Sequence, residues 1–252
     1  MHILARQTAT GALVGLGQVE HTDPSAGPGI ELAVHPEHRN HGIGTAILDA
    51  ALTVCPPPPS PVRLWAHGED AAAALLARAR GFTTERRLWQ MRRSLLDPLP
   101  DLELPTDVLL RTFDGERDFD ALLALNAAAF TELPDQGGLT ADDLHRRMAQ
   151  DWFDPDGLLL AVDTAPAADP SLLGFHWTKV HGQLGEVYVV GVHPDARGRG
   201  VGRALTIAGL AHLRDRDLPV AGLYVDGTNA RAIELYLSLG FTHWDSDTLF
   251  RR

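Results

Sequence analysis

One motif occurs twice in this chain, and the repeat constrains the fold more than any other feature of the sequence. The two copies are VHPEHRNHGIG at residues 34–44 and VHPDARGRGVG at residues 192–202. Each copy follows a short β-branched apolar run and precedes an apolar stretch of helical character. The sequence therefore predicts two related units, each with a strand, a glycine-rich turn and a helix start.

The glycines of the motif indicate a turn that binds phosphate. Glycine lets the backbone come close to a ligand, and the unpaired N–H groups of a first helical turn bind anions. Arg197, Arg199 and Arg203 add charged hydrogen-bond donors around the second copy. A Rossmann site is disfavoured because no carboxylate is placed to bind a ribose, and a Walker loop is excluded because Gly-Lys-Ser/Thr is absent. We therefore expect a pyrophosphate ligand.

Composition is typical of a globular protein with two domains. The 252 residues are 44% hydrophobic and 22% charged, and the net charge of −11 argues against a nucleic-acid surface. No apolar run approaches the roughly 20 residues of a membrane span, and the N-terminus does not resemble a signal peptide. Cys55 is the only cysteine, so an internal disulfide is impossible. We expect a cytoplasmic protein.

The histidines and the cysteine give no sign of a metal site or a covalent nucleophile. None of the 12 histidines has the His-Glu-x-x-His spacing, and a single cysteine cannot form a thiolate zinc site. Gly-x-Ser-x-Gly is absent too. We expect no metal, and any group transfer to be direct.

A proline-rich stretch at residues 95–107 predicts a linker. It separates a domain at 1–94 from a second domain at 108–252. The pattern of the second domain predicts a mixed α/β sheet with strands at 108–112, 158–163, 172–181, 185–192, 220–225 and 244–250, and helices at 117–130, 141–152, 201–214 and 229–239. The first domain shows only the later part of this pattern. Its first strand and two helices are missing, which indicates either a start further upstream or decay of this half.

Three motifs of the second domain together resemble the GCN5-related N-acetyltransferases, or GNAT family. They are the glycine-rich turn after a strand, Asn229-x-x-Ala232 at the next helix start, and Leu239-Gly240-Phe241. The resemblance implies two tandem GNAT-type α/β domains, each a mixed, mostly antiparallel sheet flanked by helices. It also implies acetyl-CoA as cosubstrate, with its pantetheine arm in a gap where the sheet splays.

Further segments resemble a tandem-domain branch of that family. They are FHWTKV at 175–180, GEVYVVGV at 185–192 and WAHG at 65–68. That branch acetylates the cysteinyl amine of desacetylmycothiol, a cysteine–glucosamine–inositol conjugate. The resemblance implies this small-molecule amine as partner of a monomeric enzyme.

The family resemblance also assigns residue roles. Glu186 is implied as the general base and Tyr236 as the acid that protonates the CoA thiolate. Acetyl-CoA contacts are implied for Val190, Gly191, Val192, Arg197, Gly198, Arg199, Gly200, Val201, Gly202, Arg203, Asn229, Ala230, Arg231, Ala232, Ile233 and Glu234, and in the first copy for Leu32, Ala33, Val34, Asn40, His41, Gly42, Ile43, Gly44 and Thr45. Acceptor contacts are implied for Asp135, Lys179, Glu186 and Tyr224.

Each of these side chains also has an ordinary structural interpretation. Glu186 is then a carboxylate at a strand edge, Tyr236 a buried helix tyrosine and Asn229 an N-cap. Asp135 and Lys179 are then surface charges.

An internal comparison separates the two halves. Counting back from the motif valines pairs Glu186 with Pro28, and aligning Leu-Gly-Phe with Arg-Gly-Phe pairs Tyr236 with Ala77. The first half therefore lacks both the base and the acid, and we expect it to bind acetyl-CoA without catalysis. Two alternatives stay open: another amine acceptor, such as a protein N-terminus or an aminoglycoside, and a non-catalytic acyl-CoA-binding protein.

Overall fold

The computed structural model describes residues 1–21, 27–57, 59–131, 134–164 and 171–252. Contacts divide the chain into two compact units, each assembled from more than one segment. The first unit contains Met1–Trp89, Asp226–Asn229 and Asp245–Arg252, and the second contains Gln90–Val225 and Ala230–Trp244. A single cut at 95–107 does not reproduce this division, because three strands each contribute residues to both units. The limits 1–94 and 108–252 stay a prediction about where the two repeats end.

The first unit has the strand and helix order expected for the later part of the repeat. Its elements are β1 (His2–Arg6), β2 (Leu13–Glu20), β3 (Gly29–Val34), α1 (Ile43–Val54), β4 (Arg63–Ala66), α2 (Ala71–Ala79) and β5 (Thr83–Ser94). β1, β2 and β3 are antiparallel, and β3 runs parallel to β4. The last strand of the chain, β11 (Thr242–Arg251), pairs with β4 through its final residues. Val19, Ile30, Leu48, Phe82 and Phe250 form the core.

The second unit contains the complete series of elements. They are β6 (Val108–Thr112), α3 (Gly115–Ala129), α4 (Pro134–Gly137), α5 (Ala141–Met148), β7 (Leu158–Asp163), β8 (Leu172–His181), β9 (Leu184–Val192), α6 (Val201–Asp215), β10 (Val220–Asp226) and α7 (Ala230–Ser238). β6 to β9 are antiparallel neighbours, and β10 runs parallel to β9. The sheet is therefore mixed and mostly antiparallel, as predicted.

Helices cover both faces of the strands of the second unit, and strand residues alternate between those two faces. Leu160 and Trp177 pack with Leu122 of α3 and Leu144 of α5 in one core cluster. Their neighbours in the strands, such as Ala161, pack instead with residues of α6. The α3–α5 face and the α6 face are thus distinct surroundings for strand side chains.

Two elements of the second unit differ from the sequence prediction. The helix expected at 141–152 ends at Met148. The chain then turns so that the Trp152 ring lies 5.7 Å from the Trp177 ring and 5.4 Å from the Tyr188 ring. The segment between the helices expected at 117–130 and 141–152 contains the four-residue helix α4. The other elements lie within a residue or two of their predicted limits.

A bulge in β9 changes how the two copies correspond. Trp177 pairs with Val189 and Thr178 with Val187, so Tyr188 is an extra residue in the strand. In the first unit β2 and β3 pair without interruption. Counting back from the motif valines therefore pairs residues of β9 that precede the bulge with first-copy residues one position too early.

The residue that matches Glu186 is Gly29, and not Pro28 as the count from the motif indicated. The parallel strand pairs support this match. Glu186 pairs with Gly222 and Gly29 pairs with Arg63, and Gly222 and Arg63 are equivalent positions of the two repeats. The first unit still has no carboxylate at this position.

Candidate active site

The sheet of the second unit opens between β9 and β10. The parallel pairs run from Leu184 with Val220 to Glu186 with Gly222, and among the described residues of these strands none follows. The two strands then continue without pairing toward the glycine-rich turn. Glu186 therefore lies at the point where the gap begins, as the expected splay of the sheet requires.

A cleft of ≈ 270 Å³ lies beside Glu186. Its lining residues come from three neighbouring strands and one hairpin: Gln90, Met91, Arg92, His181, Leu184, Glu186, Gly222, Leu223 and Tyr224. The volume is below the roughly 300–1,000 Å³ of pockets that enclose a whole ligand. The cleft is therefore large enough for only part of a ligand of that size.

Glu186 has a histidine partner that the sequence analysis missed. Nε2 of His181 lies 2.9 Å from Oε2 of Glu186. The hairpin between β8 and β9 explains the contact, because His181 pairs with Leu184 and is a diagonal neighbour of Glu186 on the same face. The Gly182-Gln183 turn was a signal that could have revealed this pairing.

Lys179 is held by two aromatic rings on the same face of the sheet. It pairs directly with Glu186 across the strands. Its Nζ lies 4.5 Å from the centre of the Trp152 ring and 5.2 Å from that of Tyr188. Cation–π contacts of this kind restrain a flexible ammonium. The sequence analysis found Lys179 but missed both rings, since the α5 turn and the β9 bulge bring them there.

Tyr236 is buried in α7 and lies next to Phe241, with the ring centres 5.7 Å apart. Burial raises the pKa of Tyr236 to about 12, because removing the phenolate from water is costly. The phenol therefore keeps its proton at neutral pH and can act as a donor.

The second glycine-rich turn presents open backbone donors. Gly198 and Gly200 have φ of 84° and 87°, and Gly200 is the N-cap of α6. The first helical hydrogen bond runs from the Ala204 N–H to the Gly200 carbonyl, so the N–H groups of residues 201–203 precede the ladder. A Cβ built on Gly200 would meet no atom within 4 Å, which shows open space above the turn. The turn fits a pyrophosphate.

The three arginines of this turn already have protein partners. Arg197 donates to the Ala129 carbonyl over 2.9 Å, and Arg203 donates to Oγ of Ser238 over 2.9 Å. Nη2 of Arg199 lies 2.7 Å from Oδ2 of Asp107. These contacts brace the turn, so a phosphate would share the arginines with them.

The first copy repeats the backbone of this turn with different side chains. Asn40 has φ of 61° at the place of Gly198, and Gly42 is the N-cap of α1 with φ of 78°. β3 and β4 separate after Ile30 and Leu64. Buried Ala77 stands where the second copy has Tyr236. The first unit thus has the gap and the turn without the carboxylate and the phenol.

The other predicted contact residues lie along the same backbone features. The two strands that precede the motif end with Leu32–Val34 and Val190–Val192, and the helices that follow it, α1 and α6, begin with Ile43–Thr45 and Val201–Arg203. His41 precedes α1, and its Nδ1 lies 2.7 Å from the Arg39 carbonyl oxygen. Asn229 precedes α7, and residues 230–234 form its first turns. Gly191 is tightly packed, since a Cβ there would lie 2.4 Å from the Phe175 ring.

Of the predicted acceptor residues, Lys179, Glu186 and Tyr224 come together on one face. Tyr224 is 54% exposed and lines the cleft. Asp135 belongs to α4, but its side chain lies outside what the structure describes.

In the described part of the chain, His, Cys, Asp and Glu form no group of three or more suited to a metal ion. The described helices include none long and apolar enough to cross a bilayer.

Sequence profiles of one family match both halves of the chain. The profile described as "Acetyltransferase (GNAT) family" matches residues 121–241, and the one described as "Acetyltransferase (GNAT) domain" matches residues 2–84. The mycothiol acetyltransferase of Acidothermus cellulolyticus is 50% identical over 95% of this chain and 76% of that protein. Those of Thermobispora bispora and Salinispora arenicola are 51% and 48% identical, over 95% and 100% of this chain and 80% and 81% of theirs.

Solved structures share the fold at lower identity. A GCN5-related N-acetyltransferase from Sphaerobacter thermophilus superposes with a TM-score of 0.82 at 23% identity, over 100% of this chain and 80% of its own. A tandem GNAT protein from the clavulanic acid biosynthesis pathway superposes with a TM-score of 0.72 at 18% identity, over 96% and 80%.

Proposed function

Because the chain belongs to the acetyltransferase (GNAT) family, we propose that it transfers the acetyl group of acetyl-CoA to the cysteinyl amine of desacetylmycothiol. The products are mycothiol and CoA. The observation that carries the proposal is the position of Glu186, at the start of the sheet gap and beside a cleft. The names of the relatives that are about 50% identical support this acceptor over another amine.

Backbone groups of the second unit would hold acetyl-CoA. The N–H groups at the start of α6 suit its pyrophosphate, with Arg197, Arg199 and Arg203 alongside. The unpaired ends of β9 and β10 leave alternate N–H groups within residues 190–192 for the acyl arm and its carbonyl oxygen. Acetyl-CoA supplies an activated thioester carbonyl there.

Glu186 and Tyr236 would handle the two protons of the transfer. The amine nitrogen bonds to the thioester carbon, and the carbon–sulfur bond breaks with its electron pair leaving on sulfur. Glu186 accepts the proton that the amine loses, directly or through a water, and Tyr236 gives its proton to the CoA thiolate. A free cysteinyl amine has a pKa of about 7 to 8, so a carboxylate is an adequate base.

Acceptor binding would use the face that carries the cleft. The Lys179 ammonium would donate hydrogen bonds to sugar and inositol hydroxyls, and the Asp135 carboxylate would accept hydrogen bonds from them. Tyr224 would contact the same conjugate. The proposal includes a catalytic second unit, a first unit that binds acetyl-CoA without turnover, and a monomeric cytoplasmic enzyme that uses neither metal nor nucleic acid.

The test is acetyl transfer by the purified chain with Glu186→Gln and Tyr236→Phe as variants. We expect each variant to lower kcat by about 10²-fold or more while acetyl-CoA binding persists. Glu116→Gln is the matched control, because Glu116 is exposed at the start of α3. Product is followed as N-acetylated conjugate by mass spectrometry.

The acceptor is tested in the same assay by competition. Desacetylmycothiol should be consumed in preference to an aminoglycoside and a peptide amine. Turnover of one of those amines alone would reject this acceptor, and acetyl-CoA binding without any turnover would reject the enzyme.

A further inference from the structure

We propose that His181 is a positioning residue for Glu186, holding one oxygen of the carboxylate so that the other faces the acceptor amine. The inference rests on the proposed function, since it assumes Glu186 as the base. It rests on the hydrogen bond of 2.9 Å between His181 Nε2 and Glu186 Oε2, and on the fact that both residues line the cleft.

The direction of this hydrogen bond follows from its partners. An ionised carboxylate only accepts hydrogen bonds, so the proton lies on Nε2 of His181. The bond occupies Oε2 and leaves Oε1 of Glu186 for another donor. A base must meet its proton at hydrogen-bond distance, and a carboxylate free to rotate would meet it less often.

The hairpin restrains His181 itself. It is the last residue of β8 and pairs with Leu184 across the two-residue turn. The backbone therefore fixes its Cβ above Glu186. The exposed fractions, 47% for the His181 side chain and 17% for Glu186, place the histidine on the solvent side of the pair.

Two cationic side chains near Glu186 have other partners. Lys179 faces it across the strands but lies over the Trp152 and Tyr188 rings. Arg92 lines the cleft, yet its guanidinium stacks over Trp244 with 4.4 Å to the ring centre. Tyr224 lines the cleft from β10. The hydrogen bond from His181 is a contact suited to orient the carboxylate.

Two substitutions separate positioning from folding. Gln places its Nε2 amide close to where the imidazole Nε2 lies and keeps a donor for Oε2, whereas Leu removes the donor at similar size. We expect His181→Leu to lower kcat for the acceptor roughly 10- to 100-fold with KM for acetyl-CoA unchanged. His181→Gln should recover most of this loss. Gln183→Leu, in the exposed turn of the same hairpin, is the control and should behave as wild type.

Each outcome of this comparison has one meaning. Wild-type kcat in His181→Leu, or equal losses in the Leu and Gln variants, would overturn the positioning role. A raised KM for acetyl-CoA in His181→Leu would also overturn it, because the change would then act on the fold. If wild-type protein produces no acetylated conjugate, the proposed function fails instead.

Discussion

Side chains with opposite surroundings carry the proposed proton transfers. Glu186 lies at a cleft beside the hydrogen-bond donor of His181, whereas Tyr236 is buried beside Phe241. A general base needs access to the amine and to water, and a general acid must stay protonated until the thiolate forms. Glu186 at the cleft meets the first condition, and buried Tyr236, whose pKa is raised, meets the second.

His176 is the single residue with the clearest consequence for stability. It is fully buried on the α6 side of β8, where its Nδ1 lies 2.8 Å from the Leu205 carbonyl oxygen. Burial lowers the pKa of His176 from 6.5 to about 4. Between these pH values the unfolded chain binds a proton that the folded chain excludes. Stability is therefore lost as the pH falls through this window, by up to about 3 kcal/mol.

We predict the effect of His176→Asn, which removes the titrating group but keeps an amide donor near the place of Nδ1 for the Leu205 carbonyl. We expect this variant to be less stable at pH 7 and to lose less stability than wild type between pH 6.5 and 4. Urea unfolding at several pH values measures the difference. Parallel pH curves for the two proteins would show that His176 does not contribute to the acid sensitivity.

Secondary-structure elements could be predicted where the local sequence pattern alone determines them. The strand, turn and helix of each copy could be predicted because β-branched runs and positive-φ glycines act locally. The bulge at Tyr188 could not, since it shows only when β9 is paired with β8. The same holds for the aromatic contacts of Lys179, which depend on where α5 ends.

The glycine-rich turns give a prediction with an internal control. Gly200→Ala and Gly42→Ala each place a Cβ in open space at a positive φ, so each should cost about 1–2 kcal/mol of stability. Only Gly200→Ala should raise KM for acetyl-CoA, because Glu186 and Tyr236 lie in the second unit. Thermal unfolding and steady-state kinetics measure the two effects. An equal rise in KM for both variants would contradict catalysis by the second unit alone.

The two compact units do not coincide with the two predicted repeats at 1–94 and 108–252. The first unit includes Asp245–Arg252, whose strand residues pair with β4, and the second includes the end of β5 from Gln90. A repeat cut out at the predicted linker would lose a strand of its own unit. Sequence periodicity could not reveal this, because it shows which residues form strands and not which strands they pair with.

The corresponding prediction is made for the fragment 1–94. It lacks the strand that pairs with β4 and buried Phe250 of the core. We expect it to unfold without the cooperative transition of the full chain, as followed by circular dichroism during heating. Mixing it with a peptide of residues 242–252 should increase its stability. A fragment that melts as cooperatively as the intact protein would show that this strand is dispensable.

The origin of that strand also sets the order of events during synthesis. Residues 245–252 are translated after the whole of the second unit, although they complete the first. At about 5–20 residues per second, the ribosome needs roughly 8–30 s to pass from Trp89 to this strand. During that interval the nascent first unit has an open position beside β4. The first unit is therefore completed only after the second unit has been translated.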